Sequence, residues 1–111
     1  MQHRPENAAE KIVIRADPDL EDLIPGYLDR RREDLRVLQD ALERRDYETI
    51  RSLGHKMKGS GGGYGFVAIT EIGRTLEQAA KDRDSDEVRR RIGELAAYLE
   101  RVEVVYREVT G

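Results

Sequence analysis

Residues 84 to 109 read DSDEVRRRIGELAAYLERVEVVYREV, and within them Val88, Ile92, Leu95, Leu99, Val102, Tyr106 and Val109 stand alternately four and three residues apart. That alternation lays one apolar stripe along a helix whose other faces are charged. Asp84 or Ser85 is the expected N-cap, and Asp84 with Glu87 has the spacing of a capping box. The expectation is an amphipathic helix running without a break to Val109. A helix apolar on one stripe needs a partner, so the rest of the chain is read for more of the same.

Three such segments precede it. From Pro25, Leu28, Leu35, Leu38 and Leu42, flanked by Tyr27 and Val37, give a helix of about twenty residues that ends near Arg44 and Arg45, where cations suit the negative end of the helix dipole. Asp46 caps a second helix with Tyr47, Ile50, Leu53 and Met57 inward. A third starts near Phe66 and buries Phe66, Ile69, Ile72, Leu76 and Ala80, with Gly73 and Ala79 small enough to admit a close neighbour. Four striped helices joined by short loops bury their stripes only against one another, which predicts an all-α, antiparallel up-and-down four-helix bundle over residues 17–111. Asp17 as N-cap with Pro18 at the first helical position adds a short extra helix, which Pro25 interrupts.

Residues 1–16 are read as an N-terminal arm. Ile12-Val13-Ile14 is a β-branched run, but no other stretch offers it a convincing strand partner, so it is expected to lie extended on the helical body. His3 falls in the polar start of this arm and is expected to be inert.

Composition narrows the function. The chain has 111 residues, enough for one core but too few for an ATP-binding domain beside it, so any kinase activity is expected to come from elsewhere. Cysteine is absent, which suits a reducing compartment and rules out thiolate chemistry. With no long apolar run and no apolar core near Met1, neither a membrane segment nor a secretory leader is expected, and the location is read as cytoplasmic. Charged residues make up 39% of the chain yet sum to a net charge of −3. The signs are interleaved, and Arg30-Arg31-Arg32 is followed at once by Glu33-Asp34, so no basic face for nucleic acid is expected.

The unusual chemistry lies between Leu53 and Phe66. One of the chain's two histidines, His55, points away from the Ile50, Leu53 and Met57 stripe and should be exposed. Arg51, Lys58 and Gly59 stand at minus four, plus three and plus four from it, on the same face. An imidazole among cations, beside a bare glycine, suggests close approach by something large. The glycines match no Walker pattern, since Ser60 stands where its lysine belongs, and no Gly-x-Gly-x-x-Gly follows a strand. Inward-facing metal ligands are missing as well, so neither metal nor cofactor is expected. A neutral imidazole is a good nucleophile near neutral pH, and Lys58, with Lys56 or Arg51 as weaker helpers, can balance phosphoryl oxygens.

His55-Lys56-Met57-Lys58-Gly59-Ser60 resembles the His-x-Leu/Met-Lys-Gly-Ser/Gly signature of histidine-containing phosphotransfer (HPt) domains, and Tyr64-Gly65-Phe66 resembles the aromatic-Gly-Phe of the phosphotransfer domain in chemotaxis kinases. The resemblance covers roughly residues 20 to 109. It implies a phosphorelay intermediate without ATP chemistry of its own, in which His55 takes phosphate from a receiver-domain aspartate or a histidine or hybrid kinase and passes it to a response-regulator aspartate. By the same resemblance Lys58 is the cation near the phosphate, Gly59 the clearance for the receiver, and Glu77 the residue that bonds the other imidazole nitrogen. Met57 replaces the commoner leucine, and Gly61-Gly62-Gly63 is richer in glycine than most members.

Two other classes compete. A bundle that binds a receiver or kinase without accepting phosphate would not need His55, and a dimerising kinase core would need a catalytic domain after it.

Overall fold

The computed structural model describes residues 10–107. Four helices carry the core: α1 (Ile24–Glu43), α2 (Tyr47–Ser60), α3 (Val67–Lys81) and α4 (Ser85–Arg101). α2 packs chiefly on α3, α3 on α4, and α1 on both α4 and α2, which closes a ring of four. Phe66, Ile24, Leu38, Ile50, Met57, Ile69, Leu76, Leu95 and Val88 are its fully buried large side chains. Within the four helices the predicted stripes face inward, except that Val37, flanking the first, is 43% exposed.

The helix starts follow local chemistry. Asp46 accepts the Thr49 N–H at 3.1 Å and the Thr49 hydroxyl at 2.7 Å, and so caps α2. Asp84 accepts the Glu87 N–H at 3.1 Å and caps α4, but the box is half made. The Glu87 carboxylate turns to Arg90 and Arg91, while the Asp84 N–H donates to the Ala79 carbonyl. Asp17 caps a single 3-10 turn, Pro18–Leu20, and Pro25 sits in the first turn of α1, where its missing N–H costs nothing.

Two expectations are overturned together. α4 ends at Arg101, and Val102–Tyr106 is a strand (β2) that pairs in parallel with Ile12–Ala16 (β1), in the register Ile14 to Val104. The β-branched run near the start of the chain does have a partner, and the fold is not purely helical. The cause is an ambiguity of period, because residues four apart share a face on a strand as well as on a helix. Val102 and Tyr106 fit either; the β-branched and aromatic content of Val102-Glu103-Val104-Val105-Tyr106 favours the strand. Parallel strands need a long crossover, and here the whole bundle supplies it. Arg101 ties the end of α4 to the chain just before β1 by donating to the Glu10 carbonyl at 2.8 Å. Residues 1–9, with His3, and Val109 at the end of the predicted stripe lie outside the described residues.

Among the described residues, no helix is long and apolar enough to cross a membrane.

Candidate functional site

The site is built where α2 crosses α3, and two glycines set the distance. A Cβ placed on Gly54 would stand 2.7 Å from the Glu77 nitrogen and 2.8 Å from the Gly73 carbonyl. One placed on Gly73 would stand 2.6 Å from the Lys58 nitrogen and 2.7 Å from the Gly54 carbonyl. Neither helix tolerates a side chain there, so the backbones touch. Glycine inside a helix costs about 1 kcal/mol relative to alanine, and this contact is what offsets it. Gly73 meets the expectation of a close neighbour, and Gly54 carries the same signal in the sequence, a glycine in mid-helix.

The close crossing sets His55 and Lys58 of α2 over Glu77 of α3. The His55 side chain is 65% exposed, as its position off the apolar stripe predicts. Its Nδ1 lies 3.1 Å from Glu77 Oε2, and Lys58 Nζ lies 2.8 Å from Glu77 Oε1. Glu77 is the one buried charged residue among those described. The hydrogen bond from Lys58 holds its carboxyl below the usual range against the opposing effect of burial, with His55 contributing further. An ionised carboxylate only accepts, so the bond to Glu77 puts the imidazole proton on Nδ1. In the neutral ring Nε2 then keeps its lone pair, and the ring is exposed.

The other predicted residues divide. Gly59 is exposed, and a Cβ on it would meet nothing within 4 Å, so the helix surface beside His55 is open. Lys56 is exposed on the flank towards α1, where its charge is felt by Asp34. Arg51 pairs with Glu48 rather than reaching for His55, although it also feels the charge of Glu77. Ser60 belongs to a different contact, with its hydroxyl 3.2 Å from the Tyr27 hydroxyl and 3.4 Å from Arg31 Nη1.

That contact exposes a group the sequence reading missed. Tyr27 stacks on Tyr64 at 4.4 Å and on Phe66 at 5.6 Å between ring centres. Arg31 lies over the Tyr27 ring at 4.7 Å and pairs with Asp34 at 2.9 Å, and both charged side chains are mostly covered. Burial raises the Asp34 carboxyl, with Arg31 opposing it. The aromatic-Gly-Phe segment thus clamps the end of α2 to α1, with Gly65 at φ 90° making the turn that glycine alone adopts freely. No helical spacing links Tyr27 and Arg31 to Ser60, so periodicity, which marks Tyr27 only as apolar, gives no sign of the contact.

The arrangement sets an exposed imidazole against a buried carboxylate, with a lysine on the same carboxylate and open helix surface beside the ring. Neither the curated proteins nor the solved structures returned a match to this chain. A family model, the Hpt domain, matches residues 22–104, which takes in all four helices and the whole of the site. Hpt domains serve phosphotransfer in two-component signalling, as phosphoryl carriers rather than enzymes, working with kinases and response regulators. The spacing of His55, Lys58 and Gly59 on a bundle and the extent of that match lead to one conclusion: the chain belongs to the Hpt domain family.

Proposed function

We propose that His55 is the phosphoryl acceptor of this Hpt domain, taking phosphate from a receiver aspartate or a kinase and passing it to a response-regulator aspartate. The observation that carries the reading is the Nδ1 contact with Glu77, which leaves Nε2 unprotonated on a ring that is 65% exposed. The Nε2 lone pair attacks phosphorus in line. A P–N bond forms as the P–O bond to the donor aspartate breaks, and the donor leaves as a carboxylate with that electron pair. The Nδ1 proton stays in place, and the positive charge the ring gains lies against the Glu77 carboxylate. In onward transfer a receiver carboxylate attacks phosphorus, the P–N bond breaks, and its electron pair returns to Nε2.

Lys58, one turn along α2, supplies positive charge to the phosphoryl oxygens. Gly59 gives the docking partner clearance. Lys56 and Arg51 add weaker charge, and Ser60 holds the end of α2 on α1. We also read the bundle as antiparallel and up-and-down, which the short loops and the bond from Tyr27 near the start of α1 to Ser60 at the end of α2 support.

The test is incubation with a phosphorylated receiver, or a hybrid kinase and labelled ATP, followed by assay for acid-labile, base-stable phosphate. Label is expected on the wild type and not on His55→Gln. Equal label on both proteins, or retained regulation of a partner by His55→Ala, would overturn the assignment.

A further inference from the structure

A second feature lies on the same two helices as His55 and Glu77, one turn away along α2 and α3. Around the start of α2 and the end of α3 lies an open basin of about 360 Å³, whose charged lining includes Arg45, Arg51, Lys81 and Arg83. Its two carboxylates are already engaged: Asp46 caps Thr49, and Glu48 pairs with Arg51. Among the described residues, Arg45, Lys81 and Arg83 make no ion pair, and Arg83 lies over the Tyr47 ring at 5.7 Å. The basin therefore presents a surplus of positive charge in a chain whose net charge is −3.

Two of these cations stand where arginine is a poor choice for the backbone. Arg45, in the turn after α1, has φ 57°, and Arg83, in the turn after α3, has φ 53°. They are the only non-glycine residues at positive φ among those described, and both line the same basin. Glycine is the usual residue at such a helix end and carries no steric penalty there. Part of the charge balances the negative ends of α1 and α3, but a lysine or arginine within the last turn would do that without the left-handed backbone.

Position supplies the rest. Arg51 is four residues before His55 on α2, and Lys81 is four after Glu77 on α3, so the basin starts one turn below the site. At a rise of about 1.5 Å per residue, it lies roughly 6–12 Å from His55 along the axis of α2. A partner seated on His55 covers about 800 Å² on each side, a patch some 16 Å in radius. The basin falls under that footprint.

We propose that this basin is a second recognition point for the phosphotransfer partner, and that it receives a segment carrying clustered aspartate or glutamate side chains. The proposal rests on the reading of His55 as phosphoryl carrier, in which a protein must dock on this face. Charges at this range raise the encounter rate and discriminate between partners more than they deepen affinity.

The backbone conformation itself offers the test. Arg45→Gly with Arg83→Gly removes two guanidinium groups and relieves two left-handed residues, so the double variant is expected to fold with an unchanged or higher thermal midpoint. Wild type, double variant and His55→Gln are first treated with phosphoramidate, a small donor that needs no docking; label on the first two and none on His55→Gln tests the His55 reading by itself. Labelled wild type and double variant are then discharged to one receiver domain across a range of salt. The expected result is transfer about tenfold slower in the variant at low salt, with the two rates converging as salt rises. Equal rates and equal salt dependence would overturn the proposal, as would a variant that loses stability and not transfer, since the arginines would then serve the helix ends alone. A second arm does not depend on His55: titration with a hexaglutamate peptide, followed by amide shifts of Tyr47, Arg51, Lys81 and Arg83. Shifts that shrink in the double variant support an acidic segment. No shift, or equal shifts with inorganic phosphate at matched ionic strength, would sink it.

Discussion

Gly54 and Gly73 meet at the crossing of α2 and α3 so closely that a methyl group on either would stand within 2.8 Å of a main-chain atom of the other helix. The contact sets the height of His55 and Lys58 above Glu77. Gly73→Ala is therefore expected to destabilise the fold by about 1–3 kcal/mol, since added volume at a backbone contact forces the helices apart. Gly59→Ala is the control: it lies on α2 in open space and is expected to raise stability by up to about 1 kcal/mol through helix propensity. Urea melts of the two variants decide it. A Gly73→Ala protein as stable as the wild type would mean that the helices are not in contact there.

Glu77 links acid stability to the site. Its folded-state pKa is depressed, first by the Lys58 hydrogen bond and then by that of His55, so its ionised form stabilises the fold. For a carboxyl with a lowered folded pKa, that contribution is fully present above the unfolded value, near 4.5, and is lost as pH falls through the folded value. The stability gap between wild type and Glu77→Gln should be constant from about pH 7 to pH 5 and should narrow below about pH 4.5. Thermal melts from neutral pH down to pH 3 would show it. A gap that widened below about pH 4.5 would mean that Glu77 carries a proton at neutral pH and that the tautomer assigned to His55 is wrong.

How far the sequence discloses this structure depends on the range of each contact. Asp46 and Asp84 act on residues three positions away, and the exposure of His55 and the placing of Lys58 follow from one helix turn, so all were legible. Glu77 came from family resemblance, because nothing local ties it to a histidine 22 positions earlier. Tyr27, Arg31 and Asp34 reach the motif from α1 across about thirty residues, where a single sequence offers no signal. The end of α4 was misread for another reason: Val102 and Tyr106 satisfy both periods, and only residue type separates them.

That last point makes Val104 diagnostic. On a helix continued from α4 it lies off the stripe of Val102, Tyr106 and Val109, and a polar replacement would be nearly neutral. On β2 it is half-buried, pairs with Ile14 and packs on the core. Val104→Asn is accordingly expected to cost about 1–2 kcal/mol, with Cα chemical shifts of residues 102–106 on the extended side. A neutral substitution with helical shifts would restore the unbroken helix.

Tyr98 carries a cost that the fold does not recover. Its ring is buried in α4 at 6% exposure, yet its hydroxyl has no hydrogen-bond partner among the described residues. Burial, with the nearby Tyr27, pushes the phenol up to about 12. Removing an unsatisfied buried hydroxyl recovers its desolvation penalty, so Tyr98→Phe should raise stability by about 1 kcal/mol at neutral pH. The raised pKa adds a signature in alkali. The charged phenolate is disfavoured in the fold, so the wild type loses stability as pH rises from about 10 towards 12, and Tyr98→Phe should lose less. Absorbance titration provides the same test directly, because the highest-titrating of the five tyrosines should vanish in the variant. A less stable Tyr98→Phe protein would show that the hydroxyl has a partner after all.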